Sequence, residues 1–210
     1  MTKFYEFWRS SAAYRVRIAL NLLDLPYESE AVNLVEGQQH SETNLSRNPQ
    51  GLVPTLEIDG VSLTQSLAIL EYLDETRGPV FLPLDAAGRA RVRALAYAVA
   101  MEIHAVCNLR VGSYAAQNSD GNISMKSWQQ HFIALGFGAL EKMLDHPDTG
   151  RFCHGDSITL ADICLAPQLY NAQRWEVDLS PFANIRRIGA ELAGVEAFRK
   201  AYPKDPSGAN

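Results

Sequence analysis

The pattern of the apolar residues changes character once along this chain, at Gly78-Pro79. Before that dipeptide, short apolar and aromatic runs alternate with helical spacing. After it, every long segment repeats its apolar residues at intervals of three and four. A chain with that single switch is expected to fold as an α/β part joined to an all-α part. Residues 3–8 read as an aromatic-rich strand, and 12–24 as a helix with Val16, Ala19, Leu20 and Leu23 on one face. Residues 27–34 read as a second strand and 36–49 as a polar loop with a short irregular helix. Residues 53–58 form a strand with Pro54 near its start, where the missing N–H is tolerated. Asp59-Gly60 is a hairpin turn into Val61-Ser62-Leu63. Ser66 then caps a helix whose apolar face is Leu67, Ile69, Leu70 and Leu73. The order predicts a mixed four-stranded sheet, parallel where a helix crosses over and antiparallel at the hairpin. Beyond the linker, helices are predicted over 86–117, 124–146, 159–172, 181–193 and 195–201, with a polar tail from Pro203 lacking regular structure. The expected domains are 1–80 and 86–210.

Charge marks the same boundary. Asp and Glu total 24 against 19 Lys and Arg, a net charge of −5. Residues 1–80 hold 6 basic and 11 acidic side chains, whereas the remainder holds 13 of each. The acidic balance argues against a nucleic-acid partner. No apolar run approaches the roughly 20 residues of a membrane-spanning helix, and Glu6 falls where a secretory signal would continue apolar. Cys107, Cys153 and Cys164 are scattered, with no close pair. They read as reduced thiols of a cytoplasmic protein, with no disulfide framework and no metal site.

Two turns carry candidate chemistry. Ser10 and Ser11 lie between the first strand and the first helix, where free backbone N–H groups and the positive end of the helix dipole favour an anion. A hydroxyl there can donate to a thiolate and lower its pKa; it can equally be a helix cap. Gln65 and Ser66 open a later helix and suit a carboxylate; capping explains Ser66 but not Gln65. For Val53-Pro54, base rates alone favour the trans peptide. There is no phosphate-binding glycine loop and no serine-hydrolase elbow.

Several runs together resemble one family. They are Arg9-Ser10-Ser11-Ala12-Ala13-Tyr14-Arg15-Val16-Arg17-Ile18-Ala19-Leu20, Asn48-Pro49-Gln50-Gly51-Leu52-Val53-Pro54-Thr55-Leu56 and Gln65-Ser66-Leu67-Ala68-Ile69-Leu70-Glu71-Tyr72-Leu73. Ile103-His104, Asn108-Leu109-Arg110, Gly155-Asp156, Thr159-Leu160-Ala161-Asp162 and residues 172–179 continue the match in order. The chain resembles the zeta class of glutathione transferases, the class of the maleylacetoacetate isomerases. That resemblance implies a thioredoxin-like glutathione-binding domain over 1–80, an all-helical domain with the acceptor site over 86–210, and a homodimer. It implies that Ser10, with Ser11 beside it, stabilises the glutathione thiolate, and that Val53 pairs its backbone with glutathione beside a cis Pro54. Gln65 and Ser66 would hold the γ-glutamyl end, with Gln38 and Gln39 reaching glutathione from a loop.

Arg9, Arg110 and Arg174 are candidates for a dicarboxylate substrate, because the guanidinium fork matches a carboxylate. A solvated surface charge is the plain alternative for each, and Arg89, Arg91 and Arg93 read that way. His104 and Asn108 fall at family positions near the substrate, with a structural histidine an equal reading of His104. Thr159 and Asp162 read as a capping box. Tyr5, Trp8, Tyr14 and Trp175 read as packing, and Trp128 is open both ways. Ala12 departs from the family's Ser-Ser-Cys. The expected function is glutathione-dependent cis–trans isomerisation of maleylacetoacetate. The alternatives are maleylpyruvate isomerisation, glutathione conjugation of small electrophiles such as α-halo acids, and a non-catalytic glutathione-binding protein.

Overall fold

The computed structural model describes residues 1–205. The reading of the tail as irregular extends over 206–210, which lie outside the described residues. The described residues form two compact units: Met1–Gly78 with those from Val195 to Asp205, and Pro79–Gly194.

In the first unit the strand order is β2-β1-β3-β4, with β1 at Lys3–Glu6, β2 at Glu28–Ala31, β3 at Thr55–Ile58 and β4 at Val61–Thr64. β1 pairs parallel with β2, Lys3 opposite Glu28. It pairs antiparallel with β3, Phe4 opposite Leu56, and β3 continues antiparallel into β4 across Asp59-Gly60. Burial follows position. Phe4 and Leu56 on the two central strands are fully buried, whereas every residue of edge strand β2 is exposed. The partial alternation over 27–34 therefore yields only four paired residues. Helix α1 (Ser11–Leu22) packs on α3 (Ser66–Thr76). The loop between β2 and β3 carries a 3₁₀ turn, Gln38–His40, and the short helix α2, Glu42–Arg47.

Helix α10 (Glu196–Ala201) packs on α1, so by packing it sides with the first unit rather than with the helical domain expected over 86–210. A buried ion pair between Arg17 and Glu6 anchors the arrangement. Arg17 also donates to Ala201 O at 3.0 Å and Trp8 O at 2.8 Å, and Ser29 Oγ donates to Glu6 at 2.8 Å. Local pattern could not show this, because the partners are up to 184 residues apart.

The second unit is helical. It contains α4 (Ala86–Tyr97), a π-helical turn (Ala98–Ile103), α5 (His104–Val106), α6 (Leu109–Gln117), α7 (Met125–Leu144), α8 (Leu160–Arg174) and α9 (Ala183–Gly194). Residues 86–117, predicted as one helix, are thus broken at Cys107–Asn108. Taken end to end, Ala86–Gln117 is long enough, and in one 18-residue window with a mean hydropathy of 1.2 apolar enough, to cross a membrane by length and composition alone. The sequence expectation concerned an uninterrupted apolar run of roughly 20 residues, and this stretch is interrupted by Arg89, Arg91, Arg93, Glu102 and Arg110.

Thr159 caps α8 as expected: its N–H and hydroxyl both donate to Asp162 Oδ2, at 2.8 and 2.7 Å. Asp162 Oδ1 accepts from Cys153 N–H at 2.9 Å. Arg91 departs from the surface reading. It donates to Cys153 O at 2.9 Å and Thr149 Oγ1 at 2.7 Å, tying down the loop before α8.

Candidate active site

Ser10 is the N-cap of α1, with extended φ −67° and ψ 122°, and its Oγ accepts the Ala13 N–H at 3.2 Å. A hydroxyl that accepts in this way still has its O–H to give. Ser10 is half-buried, whereas Ser11, the first helical residue, is 6% exposed. The first turn carries no acidic side chain, so nothing in it neutralises the positive end of the helix. The two readings of this turn therefore coexist: Ser10 caps, and it keeps a donor.

Ser66 is not a cap. The N-cap of α3 is Gln65, whose φ of 67° turns the chain so that Ser66 is already helical. Ser66 Oγ instead accepts from Arg15 Nη1 at 3.2 Å, and Arg15 is 2% exposed. The Gln65 amide donates to Gln50 Oε1 at 2.6 Å. Arg15 and Gln50 thus join the starts of the α1 and α3 turns to their surroundings. Arg15 escapes sequence reasoning because a basic residue in an amphipathic helix ordinarily reads as solvated.

The Val53–Pro54 peptide is cis, as the resemblance implies and against the base rate. Among the described residues neither the N–H nor the C=O of half-buried Val53 is paired. Gln38 is occupied within its own loop: its Oε1 accepts the Asn33 N–H at 2.9 Å, and its Nε2 donates to Glu36 at 3.1 Å. Gln39 differs, because its Oε1 is buried without a hydrogen-bond partner. Of the two loop glutamines, Gln39 is the one with an acceptor left to satisfy. Arg9 lies against aromatic rings, 5.2 Å from the centroid of Trp8 and 6.0 Å from that of Phe7.

In the helical unit, half-buried His104 opens α5. Asn108 is the N-cap of α6, its Oδ1 accepting the Arg110 N–H at 3.1 Å. Arg110 is exposed, and no acid or carbonyl among the described residues pairs with its guanidinium. Arg174 is the exposed last residue of α8, its guanidinium 4.6 Å from the Trp175 ring centroid. His104, Asn108 and Arg110 are thus brought onto adjacent turns, whereas Arg174 is supplied by another helix.

No cysteine of the chain is placed to act as a nucleophile. All three are buried, and none is in a disulfide. Burial pushes the Cys107 thiol up to about 12 and drives Cys153 upward too, aided there by the Asp162 charge. A reaction at this site that uses a thiolate must take it from a second molecule.

A thioredoxin-like unit ahead of a helical one, with a half-buried serine capping the first helix and a cis-proline before the third strand, is the architecture of a glutathione transferase. The family description "Glutathione S-transferase, N-terminal domain" matches residues 4–80, and "Glutathione S-transferase, C-terminal domain" matches 127–204. The maleylacetoacetate isomerase of Rhizobium meliloti is 54% identical over 204 residues, 96% of each chain. Among solved structures, the holo form of a maleylpyruvate isomerase, described as a bacterial zeta-class glutathione S-transferase, superposes with a TM-score of 0.92 at 42% identity. It covers 99% of this chain and 100% of its own. The maleylacetoacetate isomerase of Methylobacterium extorquens, solved with bound malonate and glutathione, gives 0.93 at 39% identity, with the same coverage. The chain belongs to the glutathione transferase family and, within it, to the zeta class.

Proposed function

We propose that this protein is a glutathione-dependent cis–trans isomerase acting on maleylacetoacetate. The observation that carries the reading is Ser10: a capping hydroxyl with a donor to spare, on a helix N-terminus with no acid beside it, in a chain whose own thiols are buried. The first unit offers what an extended tripeptide needs: the unpaired Val53 backbone, the unsatisfied Gln39 amide oxygen and the polar turn at Gln65 and Ser66. These fit glutathione.

When bound, glutathione supplies a thiolate that adds to the cis double bond, permits rotation about the resulting single bond, and leaves unchanged as the trans alkene re-forms. Ser10 would donate its hydroxyl proton's hydrogen bond to the sulfur and hold it deprotonated. Arg110 and Arg174 would hold the substrate carboxylates, with Arg9 a third candidate, and His104 and Asn108 would line the same segment. Charge developing on the enol oxygen must meet donors already in place.

Maleylpyruvate is the second reading. Its support is the likeness to a maleylpyruvate isomerase at 42% identity, and Ala12 in place of the family cysteine weakens the choice between the two substrates. Both substrates are tested by following loss of the cis-enone absorbance with catalytic glutathione. Turnover that requires glutathione without consuming it supports the isomerase. Steady consumption indicates conjugation instead, and tight binding with no turnover indicates a non-catalytic protein. We further propose a homodimer, supported by apolar side chains left open at Leu84 and Met101 (84% and 56% exposed). Sedimentation at twice the 23.2 kDa chain mass is expected. Three buried cysteines outside any disulfide support a cytoplasmic location.

A further inference from the structure

The two segments that carry Arg110 and Arg174 come from different helices, and one element reaches both. Trp128 and Gln129 lie in the first turns of α7. Trp128 Nε1–H donates to Val106 O at 3.0 Å, and Gln129 Nε2–H donates to Cys107 O at 2.7 Å. Those two carbonyls lie just before the break at Asn108 and have no following turn of helix to pair with. The next residue, Gln130, turns the other way: its Nε2–H donates to Trp175 O at 2.8 Å and more weakly to Glu176 O at 3.3 Å. Lys126 pairs with Glu176 at 2.5 Å. Trp175 directly follows Arg174, so Gln130 holds the end of α8 from which that arginine projects.

Close packing reinforces these bonds. A Cβ at Gly112 of α6 would lie 2.7 Å from Met125 Sδ and 3.3 Å from Trp128 Cδ1. A Cβ at Gly136 of α7 would overlap the Ile103 side chain at the end of the π-helical turn. Glycine at both positions lets α7 lie against α6 and against the turn that precedes His104. The π-helical turn matters because an extra residue in one turn rotates everything after it by about 100°.

We propose that the start of α7 is the positioning element of the acceptor site: Trp128 and Gln129 hold the chain break that presents Asn108 and Arg110, while Gln130 holds the helix end that presents Arg174. These are positioning residues, since they act through backbone carbonyls rather than on the substrate. The inference rests on the reading of the two arginines as carboxylate ligands.

The test uses the glutathione-saturated protein, malonate as a non-reacting dicarboxylate, and the variants Trp128→Phe, Gln129→Met and Gln130→Met. Each removes a donor; Gln130 is only half-buried, so its variant is expected to fold even if Gln129→Met does not. Malonate Kd and the KM for the cis-enone diacid are expected to rise about tenfold, with glutathione affinity unchanged. In an Arg110→Ala background, Gln129→Met is expected to add less than about a twofold further effect, because the group it positions is gone. Ile133→Val, in the core face of α7, should lower the Tm without moving malonate affinity. Variants that lose Tm but keep malonate Kd and KM within about twofold of wild type would overturn the inference, as would an undiminished Gln129→Met effect in the Arg110→Ala background. A wild-type protein that binds no dicarboxylate would overturn both this inference and the function it rests on; binding indifferent to the variants overturns this inference alone.

Discussion

Replacing Ser10 separates its two roles. As N-cap it accepts the Ala13 N–H at 3.2 Å, and loss of such a cap to alanine costs about 0.5–2 kcal/mol, whereas glycine gives up only a few tenths. As thiolate donor it makes a hydrogen bond to a charged group, worth about 1.5–3 kcal/mol. At about 1.4 kcal/mol per pKa unit, its loss should raise the bound thiol by about one to two units. Ser10→Ala and Ser10→Gly are therefore expected to lose a similar share of turnover, about ten- to hundredfold near neutral pH. Only Ser10→Ala should lose much thermal stability. The assay is titration of the glutathione thiolate by its ultraviolet absorbance in each variant, alongside a melt. Ser11→Ala is the control: its side chain is buried, so it should disturb packing and leave the bound thiol pKa alone. An unchanged pKa in both Ser10 variants, or a shift that appears with Ser11→Ala instead, would refute the assignment.

Other consequences follow from charge and burial. Asp162→Ala strips the Thr159 N–H, the Thr159 hydroxyl and the Cys153 N–H of their buried acceptor. At about 1–3 kcal/mol per orphaned group, partly relieved by relaxation, a loss of about 3–5 kcal/mol is expected in denaturant melts. Burial raises the Asp162 carboxyl, so its contribution to stability is fullest below about pH 4 and fades as pH rises through the raised value. Asp162→Asn should flatten that limb. Asp59 is the opposite case: hydrogen bonds from Arg77 and Tyr72 hold its carboxyl below the usual range. Its contribution is present above about pH 4 and is lost as pH falls through the depressed value, and Arg77→Gln should raise the Asp59 titration midpoint seen by carbon NMR. Finally, a thiol-specific disulfide reagent should modify none of the three cysteines in the native protein and all three after unfolding, whereas Ala12→Cys should add one thiol that reacts without unfolding.

Much of the fold could be read from local pattern because local physics decides it. The hairpin at Asp59-Gly60, the apolar face of Ile69, Leu70 and Leu73, and the Thr159–Asp162 cap each depend on residues within a turn or two of one another. The site was legible less evenly. Ser10 announced itself as a polar residue at a strand-to-helix turn, and its preference over Ser11, which the sequence offered only through the family resemblance, gains a physical ground in the burial of Ser11. Ser66 was misread as a cap because nothing in its neighbourhood predicts a glutamine with positive φ before it.

Sequence by itself determined the order of strands and helices, the division near Gly78-Pro79, and the residue types brought to each turn, since these depend on periodicity and on the chemistry of single positions. Tertiary structure alone decided where α10 docks, that Arg15 meets Ser66, that residues 86–117 break before Asn108, and that α7 bridges the carbonyls beside Arg110 and Arg174. Each of these joins groups far apart in the chain. An amide left without its hydrogen bond, or a charge left without its partner, is satisfied by whichever element the packed fold brings within reach.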